Sequence, residues 1–360
     1  MKALVTGASG FMGSAVVREL LRDGQEVKAF VRQESDIRNL DGLDVEIVTG
    51  DITDVASVCR AMRGCSTVFH LAAMVYFWVP RKDRPRFYEV NVDGTRNVLT
   101  AARDASIDKL VYTSTVSTIG SHGKNNPAKE EFSFNLWDKS MDYERSKYSA
   151  EFEVWRFAAR GLPVIALLPS APVGPRDIKP NPIGKLILDF LAQRLPGYID
   201  GGANFIDVDD IAYGHVIAAK RGQPGERYLL CGENISTLDL FKALESISGI
   251  SAPRFKLPYS GALTLGYLLE FVSNYVTNKH PLLTVPLVKF SSTYYYVDCS
   301  KAKRELDFQP RSNIRAAAIK AIQWFLDNGY VSGSDKHRRR IRNHLDNFNE
   351  KAFNAAPTAI

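Results

Sequence analysis

Tyr143 and Lys147 lie four residues apart in a stretch that is predicted to begin a helix. Residues at this spacing share one face of a helix, so the phenol and the ammonium are expected to be neighbours. A free tyrosine titrates at about pH 10, and a nearby positive charge favours its phenolate. The pair is therefore suited to exchange a proton with a carbinol oxygen at neutral pH. The same spacing is common on helices, so its meaning depends on the surrounding chain.

A run of hydroxyl side chains, Thr113 to Ser117, follows the apolar strand predicted before it. Residues at the carboxyl ends of strands face the ligand cleft in open α/β folds. These hydroxyls are therefore candidates for binding a substrate oxygen. The competing interpretation is that they only cap the end of the strand.

Three glycines at intervals of three residues follow a short apolar strand, Lys2 to Thr6. Such glycines permit positive φ and let a ligand approach amides that a Cβ would block. Apolar residues behind them repeat at helical spacing, and the start of a helix attracts an anion. A glycine-rich turn without a ligand is the alternative, but this context favours a dinucleotide diphosphate. The expected contacts are Gly7, Ser9, Gly10, Phe11, Met12 and Gly13.

Apolar strands and helices alternate along the first half of the chain. The predicted strands are Lys2 to Thr6, Glu26 to Arg32, Asp44 to Thr49, Ser66 to Ala73, Lys109 to Thr113 and Leu162 to Leu168, and a long helix is predicted over Arg86 to Ala105. Near-continuous apolar strands separated by helices imply a parallel sheet covered on both faces. We therefore expect an α/β fold with a doubly wound parallel Rossmann sheet over residues 1–168, with contributions from about 203–232.

Five prolines between residues 169 and 182 mark a change in the chain. Residues 169–202 and 233–330 are expected to form a smaller, mainly helical substrate-binding region. Residues 331–360 read as a basic tail that is helical around 336–352. The later predicted strands are Phe205 to Val208 and Arg227 to Leu230, and the later helices are Gly184 to Arg194, Asp209 to Lys220, Thr237 to Ser248, Ser300 to Leu306 and Asn313 to Asn328.

Composition narrows the class of protein. Among 360 residues, 45% are hydrophobic, which is ample for a core. Four cysteines in so long a chain argue against a disulfide framework, and neither they nor the six histidines show a metal-type grouping. Much of the net charge of +6 lies in residues 336–342, which argues against a uniform nucleic-acid groove and leaves a solvated helix or contact with anionic lipid. A strand that starts at Lys2 leaves no room for a signal peptide, so we expect a cytoplasmic protein.

Taken together, these motifs resemble the extended branch of the short-chain dehydrogenase/reductase superfamily over residues 1–328. Gly50-Asp51 is similar to that family's adenine-contacting aspartate, His70 to Ala73 to its nicotinamide-ribose wall, and Asn91 to Thr95 to its helix-four signature. The resemblance implies cofactor contacts by Asp51, Ile52, Ala72, Pro169, Tyr143 and Lys147. Aligned on Gly120, it implies that Thr115 is the catalytic hydroxyl, with Ser114 or Ser117 as alternatives. It also implies a homodimer built on helices 94–105 and 143–159.

Cofactor preference depends on the end of the second strand. NAD-preferring folds place an acidic residue there, whereas this chain has Arg32 and no acid at that position. A guanidinium suits a 2′-phosphate. Members that resemble dihydroflavonol reductases carry Val-Arg at this place, so NADP(H) is favoured over NAD(H).

The substrate is expected to be lipophilic. Apolar and aromatic residues from Met74 to Val79 follow the fourth strand, where a substrate wall is expected, and the segment Pro169 to Pro180 resembles hopanoid-associated sugar epimerases. Tyr295 to Ala302 resembles a pattern in 3β-hydroxysteroid dehydrogenases, including sterol C-4 decarboxylating members. The predicted substrate residues are Met74, Tyr76, Trp78, Ser117 and Arg176.

These features predict an NAD(P)-dependent oxidoreductase that acts on a secondary alcohol or ketone of a sterol-like substrate. The alternatives are a nucleotide-sugar epimerase or dehydratase and, from another class, a non-catalytic NADP(H)-sensing or lipid-binding protein. Residues 257–269 carry no charge but are too few to span a bilayer, which needs about twenty apolar residues. They are either a buried helix or an apolar surface for a greasy substrate or a membrane, so peripheral membrane contact is also expected.

Overall fold

The structure is a computed structural model that describes residues 2–277, 281 and 283–355, with side chains up to residue 348 within those ranges. Its strands are β1 (Lys2–Thr6), β2 (Glu26–Val31), β3 (Glu46–Thr49), β4 (Thr67–His70), β5 (Lys109–Thr113), β6 (Val164–Pro169), β7 (Ala171–Val173), β8 (Gly202–Asp207), β9 (Arg227–Leu230), β10 (Glu233–Ser236) and β11 (Tyr294–Tyr295). Its helices are α1 (Phe11–Arg22), α2 (Val55–Met62), α3 (Pro85–Tyr88), α4 (Gly94–Asp104), α5 (Asp142–Ala158), α6 (Pro182–Leu191), α7 (Val208–Arg221), α8 (Thr237–Ser248), α9 (Tyr259–Val272), α10 (Val285–Ser291), α11 (Ser300–Leu306), α12 (Ile314–Asp327) and α13 (Asp335–Ala355).

The main sheet has the strand order β3-β2-β1-β4-β5-β6-β9, and every neighbouring pair is parallel. Its central strands are almost completely buried, as their continuous apolar runs predicted. The predicted doubly wound α/β fold is therefore confirmed. Strand order reverses between β1 and β4, and in such sheets a ligand cleft forms at the carboxyl ends of the strands flanking that point.

A second, smaller sheet is built around β8, which pairs with β7, β10 and β11. The expectation that residues from about 203 onward join the main sheet is therefore wrong for β8, although β9 does join it and α7 packs against α1. Six buried residues in a row in β8 give no sign of which sheet the strand enters. The region predicted to bind substrate thus contains a sheet as well as the predicted helices.

The helix predicted over Arg86 to Ala105 is interrupted. It consists of α3, a π-helical turn at Glu89–Asp93, and α4. Such turns often lie at functional sites. This one carries Asn91, whose buried amide reaches a chain segment next to the cleft, as described below.

Residues 331–355 are not a detached tail. Ile341 and Leu345 on α13 are completely buried, and they belong to the apolar cluster that also contains Leu244 of α8 and Ile322 of α12. The predicted helix is present, but one face of it is part of the globule. Residues 356–360, the frayed end of the predicted tail, lie outside the described residues.

The cysteines and the apolar helices also bear on expectations drawn from the sequence. Cys231 and Cys299 form a disulfide that joins the end of β9 to the start of α11, whereas the sequence argued against disulfides. Cys59 and Cys65 are free. No described helix has the length and apolar character needed to cross a membrane.

Candidate active site

The turn between β1 and α1 needs glycine at two positions for close packing. Gly7 has φ +68°, and a Cβ there would lie 2.9 Å from the Ala72 backbone. A Cβ on Gly13 would overlap the Gly7 carbonyl. Because these positions lack a Cβ, the turn packs closely against the backbone at Leu71 and Ala72, which follow β4, and against the start of α1.

The first turn of α1 is left without a cap. Gly10 occupies the N-cap position and no side chain accepts from the helix amides, so the amides at Phe11, Met12 and Gly13 are available to a ligand. The Ser9 carbonyl is engaged by the Asn39 amide at 3.2 Å, which fixes the outer edge of the turn. This arrangement fits a diphosphate, because unpaired amides and a helix N-terminus both favour an anion.

Three residues were predicted to contact the adenosine end of the cofactor, and they have different environments. Arg32 is exposed directly after β2, with Glu34 3.7 Å from its guanidinium. Asp54 caps α2, and the Oδ1 atom of Asp51 accepts from both the amide and the hydroxyl of Thr53 at 2.9 Å. The Ile52 side chain is buried against Gly94 and leaves little surface for a cofactor.

Thr115 and Tyr143 are brought together across the cleft. Thr115 follows β5 in an extended conformation, and its hydroxyl is close enough to Tyr143, on the first turn of α5, to lower the pKa of that phenol. The Thr115 oxygen also accepts from the Ser117 amide at 3.3 Å, so it caps the strand end as well. The two interpretations of Thr115 made from the sequence are therefore both compatible with its geometry.

Lys147 lies one turn further along α5 and is buried. Its ammonium donates to the Thr113 carbonyl at 2.7 Å and stands 4.4 Å from the centre of the Tyr112 ring. Burial lowers the pKa of Lys147 to about 7, and Glu151 opposes that shift. Strand β5 thus holds this amine at the edge of the cleft.

The predicted effect of Lys147 on Tyr143 is not found in this structure. Desolvation raises the pKa of Tyr143 to about 12, and the nearby Thr115 hydroxyl offsets this only partly. A lysine whose own pKa falls to about 7 is a weak source of positive charge at neutral pH. Helical spacing placed the two groups correctly but carried no information on how strongly each is desolvated.

Glu151, which the sequence reasoning missed, organises the residues behind Thr115. Its buried carboxylate accepts from the Ser114 hydroxyl and from the Thr118 hydroxyl at 2.6 Å, and Arg227 lies 3.5 Å away. Because its hydroxyl is bonded to Glu151, Ser114 is not available to share the proposed substrate contact of Thr115. The signal was available, since residues 143, 147 and 151 repeat at four-residue spacing on one face of a helix.

His70 joins the two strands at the switch point. Its ring is hydrogen-bonded to Thr6 at 2.8 Å and to Thr95 at 3.0 Å, and burial lowers its pKa to about 3. The neutral ring therefore acts as a fixed bridge at the carboxyl ends of β1 and β4. Thr6 in turn accepts from the Ala72 amide at 3.2 Å, which holds Ala72, a predicted cofactor contact, beside the glycine turn.

The predicted substrate wall is anchored by Asn91. Its side chain pairs with both backbone groups of Met74, at 2.7 and 3.1 Å, and donates to Ser146 of α5 at 2.9 Å. Tyr76 is 53% exposed and open to a ligand, whereas Trp78 is buried. The wall therefore presents Met74 and Tyr76, while Trp78 supports it from within.

An aromatic row continues this wall into the substrate-binding region. Phe77 packs on Phe290 of α10, with ring centres 4.9 Å apart, and Phe290 stacks on Tyr295 at 4.8 Å. Tyr295 donates to Glu144, the neighbour of Tyr143, at 3.3 Å. Sequence reasoning named neither Phe290 nor Glu144, because their proximity depends on long-range folding.

Three other predicted residues have differing placements. Pro169 ends β6 at the same edge of the sheet, and Ser117 lies beside Thr115 but is largely buried. Arg176 is ion-paired with Asp209 at 2.6 Å, and its carbonyl is tied through Asn39 to the glycine turn. Among the described contacts, none joins Arg176 to the catalytic group, and its neighbours place it on the cofactor side.

Comparison with known proteins identifies the family of this chain. The model of the NAD dependent epimerase/dehydratase family matches residues 3–231. A Synechocystis sp. protein that bears the provisional name dihydroflavonol 4-reductase is 40% identical over 331 residues, which are 91% of this chain and 95% of that protein. Sterol demethylase protein B of Methylococcus capsulatus is 34% identical over 334 residues, 92% of this chain and 100% of that protein. The crystal structure of gox2253 has a TM-score of 0.80 at 38% identity and covers 92% of this chain and 99% of its own.

The resemblance inferred from the glycine turn and from the Thr115, Tyr143 and Lys147 group is thereby confirmed. The family match covers the whole main sheet and ends at residue 231, directly after β9. The chain belongs to the NAD dependent epimerase/dehydratase family and is an oxidoreductase enzyme.

Proposed function

We propose that this enzyme interconverts a secondary alcohol and a ketone on a lipophilic, sterol-like substrate with NADP(H) as cofactor. The observation that carries the proposal is the proximity of Thr115 and Tyr143, with buried Lys147 one turn away, beside an aromatic wall. When bound, the nicotinamide supplies hydride transfer. The remaining chemistry belongs to side chains of this protein.

Tyr143 exchanges a proton with the substrate oxygen, and Thr115 orients that oxygen through its hydroxyl. Lys147 is placed to hold the nicotinamide ribose. Burial raises the pKa of Tyr143 to about 12, so the phenol is protonated at neutral pH and able to act as an acid. Action as a base requires a positive charge near it, which Lys147 provides when it is protonated.

The lipophilic substrate is supported by what surrounds the catalytic group. Met74, Tyr76, Phe77 and Phe290 offer apolar and aromatic surface, which favours burial of a polycyclic ring system. The similarity to sterol demethylase protein B supports the same class. If the substrate carries a carboxylate on the carbon next to the carbinol, oxidation gives a β-keto acid. That acid loses carbon dioxide as the C–C bonding electrons pass to the enol, so no further oxidant is needed.

The nucleotide-sugar alternative has less support. A second diphosphate would need its own cations, and Arg176, the one cation among the predicted substrate residues, is already paired with Asp209. The non-catalytic alternative is opposed by the complete catalytic group. We further propose a homodimer through α4 and α5, on which Phe152 is exposed, and a cytoplasmic location with peripheral membrane contact.

The test is an assay of a 3β-hydroxy-4-carboxysterol and of UDP-glucose with both cofactors, following nicotinamide absorbance. We expect turnover of the sterol with NADP⁺ and loss of that turnover in Tyr143→Phe, with NADPH affinity nearly unchanged. Sterol turnover that survives in Tyr143→Phe, or turnover of UDP-glucose alone, would reject the proposal.

A second variant tests the cofactor preference. Removing a charge-assisted bond to the 2′-phosphate costs about 1.5–3 kcal/mol, so Arg32→Ala should lower kcat/KM for NADP⁺ by roughly ten- to a hundredfold and leave NAD⁺ unaffected. A wild-type preference for NAD⁺ that Arg32→Ala does not change would contradict it.

A further inference from the structure

Helix α9 and the turn after it expose an unusual amount of apolar surface. Tyr267, Leu268 and Phe271 are 56–60% exposed, and Tyr275 is 71% exposed. A helix that is apolar around most of its circumference is normally buried inside a protein or in a lipid environment. The alternative of a buried core helix for residues 257–269 is therefore wrong for most of their side chains. We define the apolar face by its exposed members, Leu265, Tyr267, Leu268, Phe271, Val272 and Tyr275.

Only a narrow stripe of α9 packs on the rest of the protein. Ala262 and Gly266 are its buried residues, and Gly266 lies against the backbone at Thr284 and Val285. Small residues allow this close approach to α10. The large side chains consequently point away from the globule, where burial would gain about 25 cal/mol per Å² of apolar area.

The charges around the apolar face favour an anionic partner. The one acid on α9, Glu270, is partly buried and accepts from the Val285 amide at 2.8 Å. Arg84 and Lys289 are close enough to lower its pKa, which burial raises. Arg84 belongs to the turn of residues 81–86, with four basic residues and one acid, whose four basic side chains are all exposed.

The apolar face is connected to the substrate wall. Helix α9 packs on α10, and α10 contributes Phe290 to the aromatic row between Phe77 and Tyr295. Tyr295 is bonded to Glu144 beside Tyr143. An object that binds the apolar face therefore lies one helix away from the proposed substrate site.

We propose that the apolar face and the basic turn 81–86 form a docking surface for an anionic lipid membrane. Leu265, Leu268 and Phe271 enter the acyl boundary, the tyrosines lie at the headgroup level, and the basic turn meets the lipid phosphates. The role of this contact in delivering a lipophilic substrate rests on the proposed function, but the contact itself does not.

Vesicle sedimentation of the full chain tests the proposal. We expect binding to phosphatidylcholine vesicles that contain one third phosphatidylglycerol, at least fivefold weaker binding to phosphatidylcholine alone, and weaker binding at high salt. The double variant Leu268→Asp/Phe271→Asp should lose binding at least tenfold, and Arg81→Glu/Lys82→Glu should lose binding to the anionic vesicles only. Ile47→Asp, which places the same charge on an exposed apolar position of β3, is the matched control and should bind like the wild type.

Absence of vesicle binding, or equal binding by Leu268→Asp/Phe271→Asp and wild type, would overturn the proposal. So would a change from a larger to a smaller assembly in that variant by light scattering, because the face would then be a contact between copies. Activity on detergent-dispersed sterol is measured in parallel. If sterol turnover is absent while vesicle binding follows the expected pattern, the proposed function fails and the docking surface stands.

Discussion

Glu144 is a buried carboxyl group that links α5, the helix that carries Tyr143, to Tyr295 of β11. It accepts from the Met141 amide at 2.9 Å, which caps α5, and from the Tyr295 hydroxyl at 3.3 Å. Burial outweighs both bonds and raises its pKa to about 7. A group next to Tyr143 therefore changes charge close to neutral pH.

This shift predicts a pH dependence of stability. The folded-state pKa of Glu144 lies above the unfolded value of 4.5, so its contribution is present at low pH and is lost as pH rises through about 7. Between pH 5 and 8 the loss amounts to at most about 3 kcal/mol. Glu144→Gln keeps an acceptor for Met141 and Tyr295 but does not titrate, so its free energy of unfolding should fall less over this range.

Urea unfolding of both proteins at each pH measures the difference. Asp177, whose pKa burial also raises to about 7, contributes a slope of the same sign and remains in the variant. Parallel stability curves for wild type and Glu144→Gln would show that Glu144 does not titrate in this range.

At this scale the sequence predicted residue identity better than residue environment. Tyr143 and Lys147 were singled out by their spacing on one face of a helix, whereas the strand end gave a run of hydroxyls from which the family resemblance selected Thr115. The bond from Lys147 to Thr113 and the pairing of Arg176 with Asp209 were not predicted, because they depend on desolvation and on contacts between residues far apart in the chain. Such contacts leave no local pattern.

Strand β5 and helix α5 are joined at the site by Glu151. Its carboxylate holds Ser114 and Thr118 on either side of Thr115 and ion-pairs with Arg227. It touches neither cofactor nor substrate in the proposed mechanism, so it is a positioning residue. Its effect on catalysis would pass through the placement of Thr115.

Glu151→Ala should leave the buried Ser114 hydroxyl without its acceptor and should remove one acceptor each from Thr118 and Arg227, at a cost of about 2–4 kcal/mol in the free energy of unfolding. We expect kcat to fall roughly ten- to a hundredfold with a smaller change in KM, because misplaced Thr115 affects the chemical step. Glu151→Gln retains an oxygen acceptor and should recover most of kcat. A purely structural role would show equal kcat in the folded fraction of all three proteins.

The link between β9 and α11 is covalent. The Cys231–Cys299 disulfide closes a loop with a sequence separation of 68 residues, for which the chain-entropy model gives about 4 kcal/mol of stabilisation. Reduction, or Cys299→Ser, should therefore lower the melting temperature. Alkylation of the unfolded protein should label two cysteines, Cys59 and Cys65, before reduction and four after it.

Four labelled cysteines in protein purified without reductant would show that the bond does not form there. That outcome would fit the predicted cytoplasmic location, since disulfides are rare in a reducing compartment. The sequence could not predict the pair, because the two residues come together only once β9 and α11 have packed.

The strands and helices themselves were predicted with uneven success. β5, β9, α8 and α11 have the predicted bounds, since turn residues or caps mark their ends. The interruption at Glu89–Asp93 was missed because a π-helical turn retains helical spacing of apolar residues. β8 was assigned to the wrong sheet because a buried strand carries no mark of its partner.

At the scale of the whole molecule, the C-terminal helix α13 packs back onto α8 and α12. The described residues form two large apolar clusters, one around the main sheet and one that combines β8 with α6, α8, α12 and α13, and a small third cluster between α9 and α10. The apolar residues of α13, Ile341 and Leu345, recur at four-residue spacing on one face. The many basic residues around them make this stripe hard to recognise in the sequence. A charged helix with such a stripe packs on a core and solvates only its other side.

The last helix is therefore predicted to contribute to stability. Leu345 is fully buried, so Leu345→Ala should cost about 2–5 kcal/mol in the free energy of unfolding, through lost burial and a residual cavity. Asn343, two residues away and exposed, is the matched control, and Asn343→Ala should change stability by less than about 0.5 kcal/mol. Urea denaturation of the three proteins measures both values. Because α13 packs on α8 and α12, away from the catalytic cleft, kcat of the folded protein should be unchanged in each. Equal stability of all three would mean that α13 is detached in solution, as the solvated helix predicted from the sequence would be.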